Sequence, residues 1–217
     1  MSPDRLRPQT LRGALVSLPN GGGRHRVIAF QYNPSSIRRS LEPQMVGGEE
    51  NDRSRAVRYT SAPVQTIQLE IEFDATDALA EGDAVAESLG ILPQLAALEL
   101  LAYPNSSAVA RREAKATEGV MEVAPLTAPQ VLFIWGDQRV MPVRLTGFSI
   151  QEEGFDAQLH PIRAVVSISM RVLNDSDLDS KNHEYHLFQA YQKNLESEAQ
   201  HSTQVRLGRL GIPASDL

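Results

Sequence analysis

Residues 129–173 of the chain read PQVLFIWGDQRVMPVRLTGFSIQEEGFDAQLHPIRAVVSISMRVL and contain three successive segments with the patterns of β-strands. The first, VLFIW at 131–135, is apolar throughout, which a strand tolerates only when protein covers both of its faces. The last, at 162–172, places apolar residues at every second position, as expected for a strand with one buried face. The stretch therefore predicts a β-rich scaffold, and it contains no nucleophile motif.

Two other regions add strand patterns. Segments 11–18 and 26–32 flank the glycine-rich run 19–23, an arrangement that predicts a β-hairpin. Segment 64–73 alternates isoleucine, leucine and phenylalanine with glutamine and glutamate, which predicts one core face and one wet face. The glycine run does not end in Gly-Lys-Ser/Thr, so it does not match a phosphate-binding loop.

A helical pattern follows the strand at 64–73. The alanine-rich stretch after Asp77 predicts a helix. Pro93 suits the first position of a second helical piece. Leu95, Leu98 and Leu101 form the predicted buried stripe of that second piece.

Residues 183–200 predict a terminal helix with a narrow apolar stripe. That stripe consists of Leu187, Tyr191 and Leu195, with Phe188 alongside. Segments 34–62 and 104–128 have no steady apolar period and predict two long polar loops. Loops of this length are usually functional or disordered, so 34–62 is a candidate contact element that orders on assembly. A solvated loop without a partner is the alternative.

The composition narrows the possible functions. The 217 residues include 21 basic and 27 acidic side chains, and the net charge of −6 disfavours general nucleic-acid binding. The chain has no cysteine, which excludes disulfides and thiolate metal sites. No window approaches the ~18 apolar residues of a membrane span, and the N-terminus does not resemble a secretion signal. We therefore expect a soluble protein.

Two polar clusters are candidate sites of chemistry. His183 and His186 are three residues apart on a predicted helix and suit a metal clip only with a third ligand, so a solvated helix start is the favoured interpretation. The second cluster lies between two predicted strands and consists of Glu152, Glu153, Asp156 and His160. An acid and base pair needs environments that separate the two pKa values, and a charged hairpin tip explains this cluster more simply. A small β-rich hydrolase that uses these four residues remains an alternative from another functional class.

Further expectations concern aromatic and charged side chains in the strands. Tyr32 and Trp135 each close an apolar segment and are expected in the core. Arg163 and Arg171 lie on the wet face of the last strand, and we expect them to pair with glutamates 70 or 72 if the two strands are neighbours. The serines of the strands lack the Gly-x-Ser-x-Gly elbow of serine hydrolases. The residues thus predict no catalytic, cofactor-binding or metal site.

Four short motifs occur in an order that resembles the tube-protein domain of contractile injection systems, the phage-tail-like particles. They are FQYNP at 30–34, IEFD at 71–74, PQVLFIWG at 129–136 and LHPIRA at 159–164. The resemblance covers roughly residues 10–175. It implies a mainly β (α+β) fold, a split antiparallel β-barrel or sandwich with a packed helix, over residues 1–175. Residues 176–217 would form a C-terminal helical extension and tail.

The resemblance also implies a function. Such domains form sixfold rings stacked along the particle axis. The group includes the baseplate adaptor that joins the spike hub to the inner tube, often with a C-terminal LysM module. After residue 173 only a helix and a short tail follow, too little for LysM, so we expect a bare ring-forming adaptor without catalysis or cofactor. A tube or cap component elsewhere in the particle is the alternative.

The implied partners are other copies of the chain, the inner tube protein, the spike or hub protein and further baseplate subunits, with neither nucleic acid nor membrane. Assembly would take place in the bacterial cytoplasm as part of a particle that is either retained or released. The long polar loops and the terminal helix would then act as arms that reach neighbouring subunits. The candidate assembly contacts are Arg38, Arg39, Arg53, Arg55, Arg58, Arg111, Arg112, Leu187, Phe188, Tyr191 and Leu195.

Overall fold

The computed structural model of the protein describes residues 11–18, 25–46, 58–117 and 128–202. Within these ranges the chain forms seven β-strands and five α-helices. The strands are β1 (Ala14–Leu18), β2 (Arg26–Ala29), β3 (Ile37–Val46), β4 (Arg58–Asp74), β5 (Gln130–Ile134), β6 (Val140–Phe155) and β7 (Pro161–Val172). The helices are α1 (Thr76–Ala80), α2 (Ala84–Leu89), α3 (Leu92–Glu99), α4 (Ser106–Thr117) and α5 (His183–Gln200).

The strands form one sheet in the order β2-β1-β5-β6-β7-β4-β3, and every neighbouring pair is antiparallel. The predicted mainly β fold with added helices is therefore confirmed. In the described ranges β2 and β3 do not pair with each other. The sheet is thus open, with β2 at one edge and β3 at the other.

A side chain links the two halves of this open sheet. The Gln31 amide, two residues after β2, donates to the Asp74 carbonyl at 2.7 Å and accepts from the Asp74 N–H at 2.9 Å. In a flat sheet β2 and β4 would lie about 24 Å apart, because neighbouring strands are about 4.8 Å apart. The sheet must therefore curl strongly, and the Gln31 amide bridges part of the gap between its two sides.

The core lies on one face of the sheet. The predicted alternation of β4 and β7 is confirmed, since their apolar side chains are buried at every second position. The register places these buried residues directly opposite one another. The pairs are Ile67–Met170, Leu69–Ile168, Ile71–Val166 and Phe73–Ala164.

β5 is the doubly apolar strand of the opening stretch, and it lies between β1 and β6. Val131, Leu132 and Phe133 are all buried, so both faces are covered as predicted. Trp135 is partly buried and packs on the core, with its ring centroid 6.2 Å from that of Phe133. Tyr32, in contrast, is 47% exposed, so its predicted core position is wrong. β2 ends at Ala29 and the chain bends at 31–32, which carries Tyr32 away from the core.

The predicted helical pieces α2 and α3 are confirmed. The Asp83 carboxylate caps α2 by accepting from the N–H groups of the next turn at 2.8 and 2.9 Å. Pro93 lies in the first turn of α3, and Leu95, Leu98 and Leu101 are buried in the core. Between α2 and α3, the Ile91 N–H donates to the carbonyl of Pro161, the first residue of β7, at 3.0 Å.

The structure corrects the prediction of a long loop over residues 34–62. Residues 37–46 form β3, residues 58–62 belong to β4, and residues 47–57 lie outside the described residues. The two strands pair with each other, yet much of their surface is exposed on both faces. Because neither face is buried along most of this length, the sequence has no alternating apolar signal there.

The second predicted loop, over 104–128, is also corrected in part. Residues 106–117 form α4, while 118–127 lie outside the described residues. Asn105 accepts from the N–H of Ser107 at 3.0 Å, and the alanines and arginines of the segment are good helix formers. No residue of α4 is buried, so the helix has no apolar stripe that periodicity would reveal.

Candidate assembly interface

The face of the sheet opposite the core is polar along β4 and β7. Glu70 and Ser167 are register partners, and the Ser167 hydroxyl donates to the Glu70 carboxylate at 3.2 Å. The segment 32–36 and the neighbouring Arg38 border this face and form an open groove of about 480 Å³. Its lining is rich in hydroxyl, amide and carboxylate groups, unlike the mostly apolar pockets that bind small molecules.

Ion pairs on this face differ from the predicted ones. β4 and β7 are neighbours, which meets the condition for the predicted pairs, but Arg163 pairs with Asp74 at 2.8 Å and Arg171 with Asp177 at 2.9 Å, rather than with Glu70 or Glu72. The register places Arg163 directly opposite Asp74, which decides the partner. Hydrogen bonds from Thr76, and then from Arg163, hold the pKa of the Asp74 carboxyl below its ordinary value.

β3 and the first part of β4 project beyond the sheet as a two-stranded segment. β7 pairs with β4 only over 65–74, so residues 42–46 and 58–64 form this segment without a third strand from the described part of the chain. We call these two stretches the ribbon. The ribbon exposes the apolar side chains of Met45, Val46 and Tyr59, and the last of these is 76% exposed. Met45 and Tyr59 are register partners, so their side chains are neighbours on one face, and contiguous exposed apolar side chains are candidates for contact with another protein.

The structure brings only some of the predicted arginines together. Arg38 lines the groove and Arg58 is exposed on the ribbon, so both belong to the β3–β4 region. The Arg39 guanidinium instead donates to the Tyr191 hydroxyl at 2.7 Å, within the molecule. The remaining arginines are elsewhere. Arg111 and Arg112 lie on α4, and Arg53 and Arg55 lie outside the described residues.

α5 contacts its own chain through much of the predicted stripe. Phe188 and Tyr191 are buried in the same cluster as the sheet core, whereas Leu187 is only partly buried and Leu195 is 38% exposed. The Asn194 amide also donates to the Gln138 carbonyl at 3.3 Å, between β5 and β6. Of the four apolar candidates on α5, Leu195 offers the most surface to a neighbouring subunit.

The turn between β6 and β7 exposes Leu159, which is not among the predicted contact residues. Leu159 is 77% exposed and has a φ of 68°, a left-handed conformation that is strained for a residue other than glycine. Asp156 organises the turn, since its carboxylate accepts from the N–H groups of Gln158 and His160 at 2.8 and 2.7 Å. The hydrogen bonds of Asp156 therefore organise the backbone of a turn that carries an exposed apolar side chain.

The polar cluster at this turn does not form an acid and base pair of carboxylates. Glu152 and Glu153 are successive residues of β6, so their side chains point to opposite faces of the sheet. His160 Nδ1 lies 2.9 Å from Asp156 Oδ2. Desolvation raises the pKa of the Asp156 carboxyl, but hydrogen bonds from His160 and Gln158 outweigh it, and the pKa lies below its ordinary value. The pair stabilises the hairpin tip.

The described residues contain neither a cluster of metal-ligating side chains nor a helix suited to span a membrane. Among the described residues, no three side chains of the metal-ligating types His, Cys, Asp and Glu gather into one group. The third ligand that His183 and His186 would require is thus not found in the described part of the chain. No helix in the described ranges is long and apolar enough to cross a membrane.

The chain is similar to known proteins in sequence and in structure. The profile of the family described as contractile injection system tube protein matches residues 17–181, from within β1 to just before α5. No curated protein matches the chain. A chain from the tail of an empty GTA particle with C6 symmetry is similar at 14% identity and a TM-score of 0.28, covering 74% of this chain and 90% of that one. A chain of the anti-feeding prophage (AFP) baseplate, 6-fold symmetrised, is similar at 14% identity and a TM-score of 0.25, covering 80% and 94%.

Proposed function

Because the chain belongs to the family of contractile injection system tube proteins, we propose that it forms the ring that joins the spike or baseplate hub to the inner tube. The observation that carries this proposal is the form of the sheet. Within the described ranges it has two edge strands, each with one unpaired side, one polar face and a ribbon that extends beyond it. Each of these features suits a subunit of a repeating wall.

The edge strands supply the contacts within a ring. β2 and β3 each leave one side of their backbone without a strand partner in the described ranges, and such edges pair readily with another chain. Pairing of β2 in one copy with β3 in the next is a head-to-tail contact that closes into a ring when the rotation per copy fits. The number of copies in the ring, six, is the expectation from the family resemblance. The structure of one subunit does not determine it.

The polar face and the ribbon supply the remaining surfaces. The face lined by Glu70, Ser167 and Ser169 is suited to contact water in an axial channel. The ribbon, with Met45 and Tyr59 exposed, is suited to contact the neighbouring ring. Its neighbours along the axis would be the inner tube protein on one side and the spike or hub protein on the other. Of the predicted contact residues, Arg38 and Arg58 lie on these surfaces.

The role is structural, since the matched family consists of tube proteins of phage-tail-like particles. The adaptor position distinguishes this proposal from the alternative of a tube or cap component at another level. Both would assemble with the particle in the bacterial cytoplasm. They differ in where the chain lies along the axis and in how many rings it forms.

Electron microscopy of intact particles tests the proposal. Particles that carry a small tag on this chain are expected to show one sixfold ring between the hub and the tube. Deletion of the chain is expected to leave hubs without attached tubes, and re-expression of the unaltered chain should restore them. Label along the whole tube or at its far end would support the alternative position. Normal particles in the deletion strain would overturn a structural role.

A further inference from the structure

The ribbon leaves the sheet at a weak point. Two-stranded hairpins are only marginally stable without a third strand or other packing. Pro43 and Pro63 lie at the root of the ribbon and have no N–H to donate to the partner strand. The register between β3 and β4 also shifts between Glu42 and Met45. The direction of the ribbon therefore requires contacts beyond its own strand pairing.

One such contact comes from the segment after β7. The Asn174 amide donates to the Ala62 carbonyl at 3.1 Å, and the Ala62 N–H donates to the Asp175 carboxylate at 3.3 Å. Asn174 is only 1% exposed, and its amide oxygen accepts from the N–H of Ser176 at 3.1 Å. These two side chains thus satisfy both backbone groups of Ala62 at the point where β7 no longer pairs with β4.

A second contact comes from α5. The Tyr191 hydroxyl accepts from the Arg39 guanidinium at 2.7 Å and lies 3.4 Å from the Gln65 amide. When the amide oxygen of Gln65 faces Arg39, it accepts from Arg39 Nη2 and Nε at 3.1 and 3.0 Å. Tyr191 and Gln65 are both buried, and hydrogen bonds to a charged donor are stronger than neutral ones. The helix is thereby joined to β3 and β4 just below the ribbon.

We propose that the segment 174–175 and α5 act together as a support that fixes the direction of the ribbon. Tyr191, Asn174 and Asp175 are then positioning residues, and α5 braces the subunit from within. The inference concerns the isolated subunit, while its importance for assembly rests on the proposed function. If the ribbon binds the neighbouring ring, this support sets the angle at which it does so.

The absence of cysteine from the sequence makes a direct distance measurement possible. Spin labels on Val46→Cys in the ribbon and Glu152→Cys on β6 report the distance between ribbon and sheet in the isolated full-length subunit. Tyr191→Phe removes the hydroxyl but keeps the buried ring, and Asp175→Ala removes the acceptor for Ala62. Tyr185→Phe is the matched control on the same helix, because its hydroxyl accepts only from Gln189 of α5, at 2.9 Å, among the contacts found.

We expect the control to keep the single narrow distance peak of the parent, and both test variants to broaden it while their circular dichroism is unchanged. A narrow peak in Tyr191→Phe alone would overturn the part assigned to α5. A narrow peak in both test variants would overturn the whole inference. The subunit is measured alone, so the distance measurement tests this inference independently of the ring proposal. Normal particle assembly would not restore the inference if both test variants kept a narrow peak.

Discussion

Gln31 and Asp74 form a closed pair of hydrogen bonds across the open side of the curled sheet. The Gln31 amide contacts both backbone groups of Asp74, as a neighbouring strand would, at 2.7 and 2.9 Å. The side chain of Asp74 is bonded as well, because its carboxylate pairs with the Arg163 guanidinium. The end of β4 is thus connected to β7 on one side and to the segment after β2 on the other.

Gln31→Ala should lower the free energy of unfolding by about 1 to 2 kcal/mol, since a donor and an acceptor of Asp74 lose their protein partner in a partly buried position. Urea denaturation measures the loss. Gln44→Ala is the control, because its amide makes one exposed bond to the Glu42 carbonyl at 3.2 Å, and a change within about 0.5 kcal/mol is expected. Equal losses in the two variants would contradict a special role for Gln31.

Gly90 and Gly154 provide a matched test of how α2 and α3 fit against β7. Both have positive φ, 56° and 64°, so alanine is strained at either site, and more so at Gly90, whose ψ of −129° lies outside the left-handed helical region. A Cβ at Gly90 would overlap the Pro161 carbonyl oxygen, whereas nothing lies within 4 Å of one at Gly154. We expect Gly90→Ala to lose roughly 3 kcal/mol or more in urea denaturation. A loss no larger than that of Gly154→Ala would show that the two elements separate easily.

The sequence predicted those elements that bury one face and could not predict those that bury none. β7 was recognisable because Ala164, Val166 and Ile168 face the core in alternation. The sequence predicts loops for the ribbon and α4, since the ribbon strands are largely exposed on both faces and no residue of α4 is buried, which leaves no apolar period. A polar strand and a polar loop have the same composition.

The residues of the candidate assembly interface, too, could be predicted only in part from the sequence. The terminal helix was predicted correctly, but the buried side of a narrow stripe cannot be fixed from spacing alone, and Glu184, Phe188 and Tyr191 are its buried residues. Leu159 opens the family motif at 159–164, but its left-handed backbone could not be predicted, because that conformation is usually adopted by glycine or asparagine. The contact between Tyr191 and Arg39 joins residues far apart in the sequence and depends on the tertiary fold.

Leu159→Gly should relieve strain in the β6–β7 turn. Glycine adopts a φ of 68° without steric cost, whereas Leu159→Ala keeps the Cβ and therefore the strain. We expect the glycine variant to exceed the alanine variant by about 1 kcal/mol in unfolding free energy. If alanine proved equally stable or better, the left-handed conformation of this residue would not be strained.

Asp156 should make stability depend on pH in the acid range. Its folded pKa is below the ordinary value of 3.8, so the stabilisation is present above that value and is lost as pH falls through the folded pKa. Asp156→Asn should flatten the rise of unfolding free energy between about pH 2 and 5. The two proteins are expected to differ least at the acid end, where Asp156 is protonated. A parallel offset at every pH would contradict this linkage.

Tyr59 and Tyr103 allow a comparison between an exposed tyrosine on the proposed assembly surface and an exposed tyrosine elsewhere. Tyr59 of the ribbon is 76% exposed and Tyr103, after α3, is 61% exposed. Serine at either position should change the unfolding free energy by less than about 1 kcal/mol, because neither ring is buried. If Tyr59 is a hot spot of the contact between the ribbon and a neighbouring ring, Tyr59→Ser should weaken assembly by about tenfold or more. Counting complete particles in electron micrographs measures this, and equal yields from the two variants would exclude Tyr59 from the interface.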